Sequence, residues 1–129
     1  MNEAERRAVE TVENAQRAME RGDIAGFLAH FAEDGEVNDP LAPAVVGRAG
    51  LEQWLQGLLA VCSKVEMLEL KPFASGRNVA VKVTLRLVGR NGRTATAEAI
   101  DVFELDESFR IRKMTAYWDP APAMQALMG

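Results

Sequence analysis

The segment A-E-A-I-D-V-F-E-L, residues 97–105, carries one carboxylate, Asp101, with apolar neighbours on both sides. Strand alternation puts Asp101 on one face with Ala95, Ala97, Ala99, Phe103 and Leu105. Burial there disfavours the ionised form, raises the pKa and leaves a neutral acid able to donate a hydrogen bond near neutral pH. The structural alternative is an Asp that pairs with a backbone amide, an arginine or the Trp118 indole N–H. A second carboxylate, Asp39 in V-N-D-P, sits in ordinary turn chemistry, because Asp before Pro favours a turn. His30 has no ligand partners at recognisable spacing, so no metal site is expected. Cys62, the single cysteine, has no activating cluster beside it and reads as a buried, inert thiol. The G-R-N-G-R stretch lacks the strand, glycine-rich loop and helix of a phosphate cradle; its Asn91-Gly92 reads as a hairpin turn.

The chain that must position these groups has 129 residues, 48% hydrophobic and 26% charged, with a net charge of -4. That length fits one domain over residues 1–129, large enough to bury a core and still leave room for a pocket. The negative balance argues against nucleic acid and acidic lipid as partners, and no apolar run is long enough to cross a bilayer. M-N-E-A-E-R-R has no apolar stretch behind it of the kind a secretion signal needs, so a soluble, cytoplasmic protein is the expectation.

Helical signals fill the first half and strand signals the second, an α+β order. Ala8, Val12, Ala15 and Met19 recur at helical spacing from Glu3 to Arg21, and Gly22 ends the run. Asp23 caps a short second helix carrying Ile24, Phe27, Leu28 and Phe31, followed by a turn, a brief strand and an exit at Pro40. A third helix is predicted from Arg48 to about Cys62, with Leu51, Trp54, Leu55 and Leu58 on one face. Strands are predicted at 65–74, 78–89, 93–105 and 109–118, joined as an antiparallel meander. In the last strand Phe109 and Ile111 have the opposite parity to Met114, Ala116 and Trp118. Either a bulge reverses the register or both sheet faces are covered, one by helices and one by a second subunit; the second option is the reading adopted.

F-A-E-D-G-E-V-N-D-P after a short helix, V-V-G-R-A-G-L opening the third helix, A-I-D-V-F-E-L, and M-T-A-Y-W-D together resemble the ketosteroid-isomerase branch of the NTF2-like (SnoaL-like) superfamily. The resemblance runs from the first helix to Trp118. It implies an α+β cone, with about three N-terminal helices packed on a curved antiparallel sheet around a deep apolar pocket. It implies Asp39 as the general base and Asp101 as the protonated acid that donates to a developing enolate oxygen. Phe31, Trp54, Met114, Ala116 and Trp118 fall where the family places pocket-lining side chains. The implied activity is proton transfer within an apolar enolisable ketone such as a steroid or polyketide, with no cofactor; the side-chain parity of the last strand, not the resemblance, is what suggests a homodimer through the sheet. The sequence departs from the family at Ala15, where the first helix should carry a Tyr as principal oxyanion donor. Trp118 or Tyr117 could substitute, although alternation lets only one of the two point inward. The superfamily also includes epoxide hydrolases and cyclases of polyether biosynthesis, whose acidic pair Asp39 and Glu66 resemble. A non-catalytic module that binds an apolar ligand or dimerises is the third reading.

Overall fold

A computed structural model describes residues 1–129. The first helix, α1, spans Glu3–Glu20, and Asn2 caps it: its side chain accepts from the Glu5 N–H at 2.8 Å while the Glu5 carboxylate accepts from the Asn2 N–H at 3.0 Å. The helix stops where the sequence says it should. Gly22 takes φ 69°, and its N–H donates to the Met19 carbonyl at 3.0 Å. Asp23 then caps α2, Ile24–Ala29, by accepting from the Gly26 N–H. Phe31, read as part of that helix, instead opens a nine-residue strand β1, Phe31–Asp39, longer than the brief strand predicted. Strand β2, Ala42–Val46, escaped the sequence reading because A-P-A-V-V has no alternation and carries a proline.

The third helix, α3, spans Gly47–Val61, one residue earlier at each end than predicted, and Cys62 already belongs to the next strand. The remaining strands are β3 Cys62–Ser75, β4 Asn78–Gly89, β5 Thr94–Leu105 and β6 Ile111–Tyr117. Asn91-Gly92 forms the β4–β5 turn as expected, with Gly92 at φ 85°. A fourth helix, α4, Ala121–Met128, follows the sheet and was not foreseen; it is short and buries only Ala123 and Leu127, one turn apart.

The six strands lie in the order β2-β1-β6-β5-β4-β3. The stretch from β3 to β6 is the predicted antiparallel meander, but β1 pairs with β6 in parallel, so the sheet is mixed and not wholly antiparallel. Sequence alternation cannot foretell that pairing, because it depends on where the chain re-enters the sheet after two helices. The parity conflict in the last strand is resolved by a bulge, so no second subunit is needed to explain it. Glu104 pairs with Lys113 and Leu105 with Ile111, so Arg112 is an extra residue and both Ile111 and Met114 turn inward. A similar insertion occurs in β3: Met67 pairs with Leu85 and Glu69 with Thr84, leaving Leu68 outside the ladder. Without it, Glu69 and Lys71 would face the interior.

Helices α1 and α3 pack on the inner face of the sheet, where Phe27, Phe31, Leu51, Leu55, Phe103 and Ile111 are fully buried. No helix is long and apolar enough to cross a membrane.

Candidate active site

The inner face of the sheet does not close completely on the helices. A cavity of about 420 Å³ remains between α3, α4 and the inward residues of β3 to β6. Of its 21 lining residues, 17 are apolar and the others are Asp39, Gln53, Gly57 and Asp101. The wall therefore contains two carboxylates and no cation. Trp54 comes from α3, Met114 and Ala116 from β6, and Trp118 from just beyond β6, so these four predicted lining residues do border the cavity. Phe31 does not. It is fully buried against Phe27, ring centroids 4.8 Å apart, because the chain has already turned from helix to strand at that point. Ala15 is likewise sealed in the core, while Tyr117 points outward and is 61% exposed.

Asp101 stands in the middle of β5 opposite Val81 of β4 and Ala116 of β6. It is 6% exposed. Burial among these apolar neighbours pushes its pKa up to about 6; a hydrogen bond from Gln16 opposes the rise, and the negative charge of Asp39 adds to it. Gln16 Nε2 donates to Asp101 Oδ2 at 2.9 Å. Gln16 was missed in the sequence, although a signal was present: it lies four residues after Val12, on the apolar stripe of α1. Gln16 and Asp101 are the two buried polar residues of the protein, and they find each other across 85 residues of chain.

Asp39 ends β1, where the pairing with β2 slips between Val37 and Asp39. Its Oδ1 accepts from the Leu41 N–H at 2.9 Å, the turn chemistry that Asp-Pro suggests. The same residue borders the cavity. Turn formation and access to the pocket therefore coexist in one side chain.

Glu66 is on the other side of the sheet. Val65 and Met67 face the cavity, so alternation turns Glu66 outward, where its carboxylate meets Arg86 at 3.2 Å. Asp39 and Glu66 thus share no cavity, and the epoxide-opening pair has no geometric basis. His30 ends α2 outside the cavity. Cys62 lines it, and burial pushes its thiol pKa up, which keeps it a neutral wall group. No group of three or more His, Cys, Asp or Glu residues is arranged to hold a metal ion.

Solved structures share this architecture. A protein of Xanthomonas campestris pv. campestris, described as a putative polyketide cyclase, is 21% identical with a TM-score of 0.89, covering 96% of this chain and 98% of that one. TerC, co-crystallised with polyporic acid, is 18% identical with a TM-score of 0.86, covering 95% and 99%. An NTF2-like protein of Burkholderia xenovorans LB400 is 25% identical with a TM-score of 0.81, covering 98% and 99%. The fold is the NTF2-like α+β fold. A family profile described as the SnoaL-like domain matches residues 12–114, and by that match the chain belongs to the SnoaL-like domain family.

Proposed function

We propose that this protein is an enzyme that enolises a neutral, apolar ketone of steroid or polyketide size, as a ketosteroid isomerase does. The observation that carries this reading is that Asp39 and Asp101 border one apolar cavity and are its only charged lining residues. Asp39 removes a proton from the carbon beside the carbonyl, and the oxygen that gains charge accepts a hydrogen bond from protonated Asp101. Returning the proton to a different carbon completes an isomerisation. Attack of the enolate carbon on a second carbonyl of the same molecule would instead close a ring, the reaction type named for the Xanthomonas protein. Neither course needs a cofactor, since protons and charge balance between substrate and the two carboxyls.

The ligand class follows from the wall. With no Lys, Arg or His to meet it, a carboxylate or phosphate on the ligand would face two acids unaided. Five of the six methionines, at 19, 67, 114, 124 and 128, line the cavity, and flexible thioethers adapt to flat ring systems.

A pKa of about 6 leaves free Asp101 mostly ionised at neutral pH, which favours a second assignment with Asp101 as the proton acceptor. Seating an apolar ligand strips further water from Asp101 and raises its pKa again, so the donor role is the one the bound state supports. The two assignments differ in sign. As the donor, Asp101 loses its proton and activity falls as pH rises through the Asp101 midpoint; as the base, activity rises there.

The test is to incubate the protein in D2O with 5-androstene-3,17-dione, following conjugated-enone absorbance and deuterium uptake beside the carbonyl. Enone formation that drops about 100-fold or more in Asp39→Asn is the expected result. Absence of both signals above background sinks the reading, and full activity in Asp39→Asn removes Asp39 as base.

The same reading includes a homodimer through the outer sheet face. Cross-strand pairing lines up Phe73, Ala80, Val102 and Thr115 in one row, and Lys71, Lys82, Ile100 and Tyr117 in the next. Glu69 and Glu98 flank these rows on either side of Thr84. A second copy turned by half a rotation can bring the exposed Phe73, Ile100 and Tyr117 side chains of the two outer faces together.

A further inference from the structure

We infer that Gln16 is a positioning residue for Asp101: its amide holds Oδ2, so that Oδ1 is the oxygen that carries the proton and meets a ligand in the cavity. The inference rests on the reading of Asp101 as the hydrogen-bond donor of the site. Gln16 is 1% exposed and comes from the middle of α1, among Val12, Ala15 and Met19. Its Oε1 is sealed from solvent and has no hydrogen-bond partner, the one such side-chain atom in the protein. A buried orphan carbonyl is destabilising, and methionine would fill the same space without it. Packing and helix stability therefore give no reason for an amide at this position. Its single hydrogen bond, Nε2 to Asp101 Oδ2 at 2.9 Å, does.

No group of the protein donates to Asp101 Oδ1, and Oδ1 is not among the sealed atoms without a partner, so it opens on the cavity that Asp101 lines. A carboxyl oxygen that accepts an N–H cannot also carry the proton along that direction. With Oδ2 occupied, the proton of the neutral acid belongs on Oδ1, aimed at the ligand. An amide suits this task because it neither gains nor loses a proton near neutral pH, so it orients Asp101 without competing for the proton. The charged group that faces Asp101 is Asp39 of β1; the cavity residues of α3, β3, β4, β6 and α4 carry no charge.

The test reads Asp101 directly. Carboxyl NMR of protein labelled with 13C-aspartate, with Asp101 assigned by its loss in Asp101→Asn, gives the titration midpoint. Gln16→Met keeps length and volume and removes the donor that favours ionised Asp101, so the midpoint should rise by about one unit, a tenfold tighter proton. A shift below about 0.3 unit overturns the inference. The unmodified protein supplies a second arm that does not depend on folding of the variant. One Gln16 Nε2 proton should stay displaced downfield on both sides of the midpoint, since the amide faces Oδ2 in either state. Loss of that displacement below the midpoint means the amide has turned and Oδ2 holds the proton, which also overturns it. The deuterium-uptake assay judges the proposed reaction and the titration judges Gln16, so the failure of one is told apart from the failure of the other.

Discussion

Asp101 weakens the fold at one pH and not at another. Its pKa is about 6 in the folded protein against an ordinary value of 3.8, so below about pH 3 the acid is neutral both folded and unfolded and contributes nothing. Between about pH 3 and 6 the unfolded chain releases the proton while the folded one keeps it, and stability falls as pH rises. Above about pH 6 the whole penalty is present, on the order of 3 kcal/mol. Asp101→Asn keeps the shape and an oxygen for Gln16 while removing the charge. Urea unfolding should find the variant more stable than the parent at pH 8 by a few kcal/mol and equal to it near pH 3; equal stability at both pH values would show that Asp101 carries no burial penalty. At this scale the sequence was informative where polarity broke a pattern. Asp101 stood out because an acid interrupted an apolar strand face, and Gln16 carried the same signal in a helix. Which of the two would meet the other was not legible, because nothing local links residues 16 and 101.

Elements show the reverse balance. Caps and turns built from neighbouring residues, such as Asp23, Gly22 and Asn91-Gly92, were readable because their geometry is local. Bulges were not, since an extra residue is defined only against the partner strand. The β3 bulge is held from outside the sheet: Glu20 accepts from the Met67 N–H at 2.6 Å, Arg17 donates to the Met67 carbonyl at 3.2 Å, and the two side chains are 3.0 Å apart. Because β3 is an edge strand, these backbone groups have no further strand to pair with, and α1 supplies the missing partners. Glu20→Ala should therefore cost about 1–2 kcal/mol in urea unfolding and speed hydrogen exchange at the Met67 amide selectively. Unchanged protection at Met67 would refute the clamp. The parity of Ile111 against Met114 has the same lesson: the sequence posed the conflict correctly, but only the pairing of Leu105 with Ile111 located the bulge that resolves it.

The whole molecule adds what neither residue nor element contains, an unfilled cone. If two copies join through the outer face, the wild-type protein should sediment as a dimer at micromolar concentration, and Ile100→Glu combined with Tyr117→Glu should sediment as a monomer with an unchanged circular dichroism spectrum. A wild-type monomer under those conditions would refute the dimer. The substituted side chains point away from the cavity, so the deuterium assay on the monomeric variant also separates assembly from catalysis. By itself the sequence determined the α+β order, the meander, the first three helices and the exceptional status of Asp101, since each depends on periodicity or on chemistry within a few residues. The tertiary structure alone decided the parallel pairing of β1 with β6, the addition of α4, the exile of Glu66 to the outer face and the withdrawal of Phe31 into the core. It also decided that Asp39 and Asp101 share a cavity that Gln16 reaches from behind, because burial and pairing are properties of how distant segments close on one another.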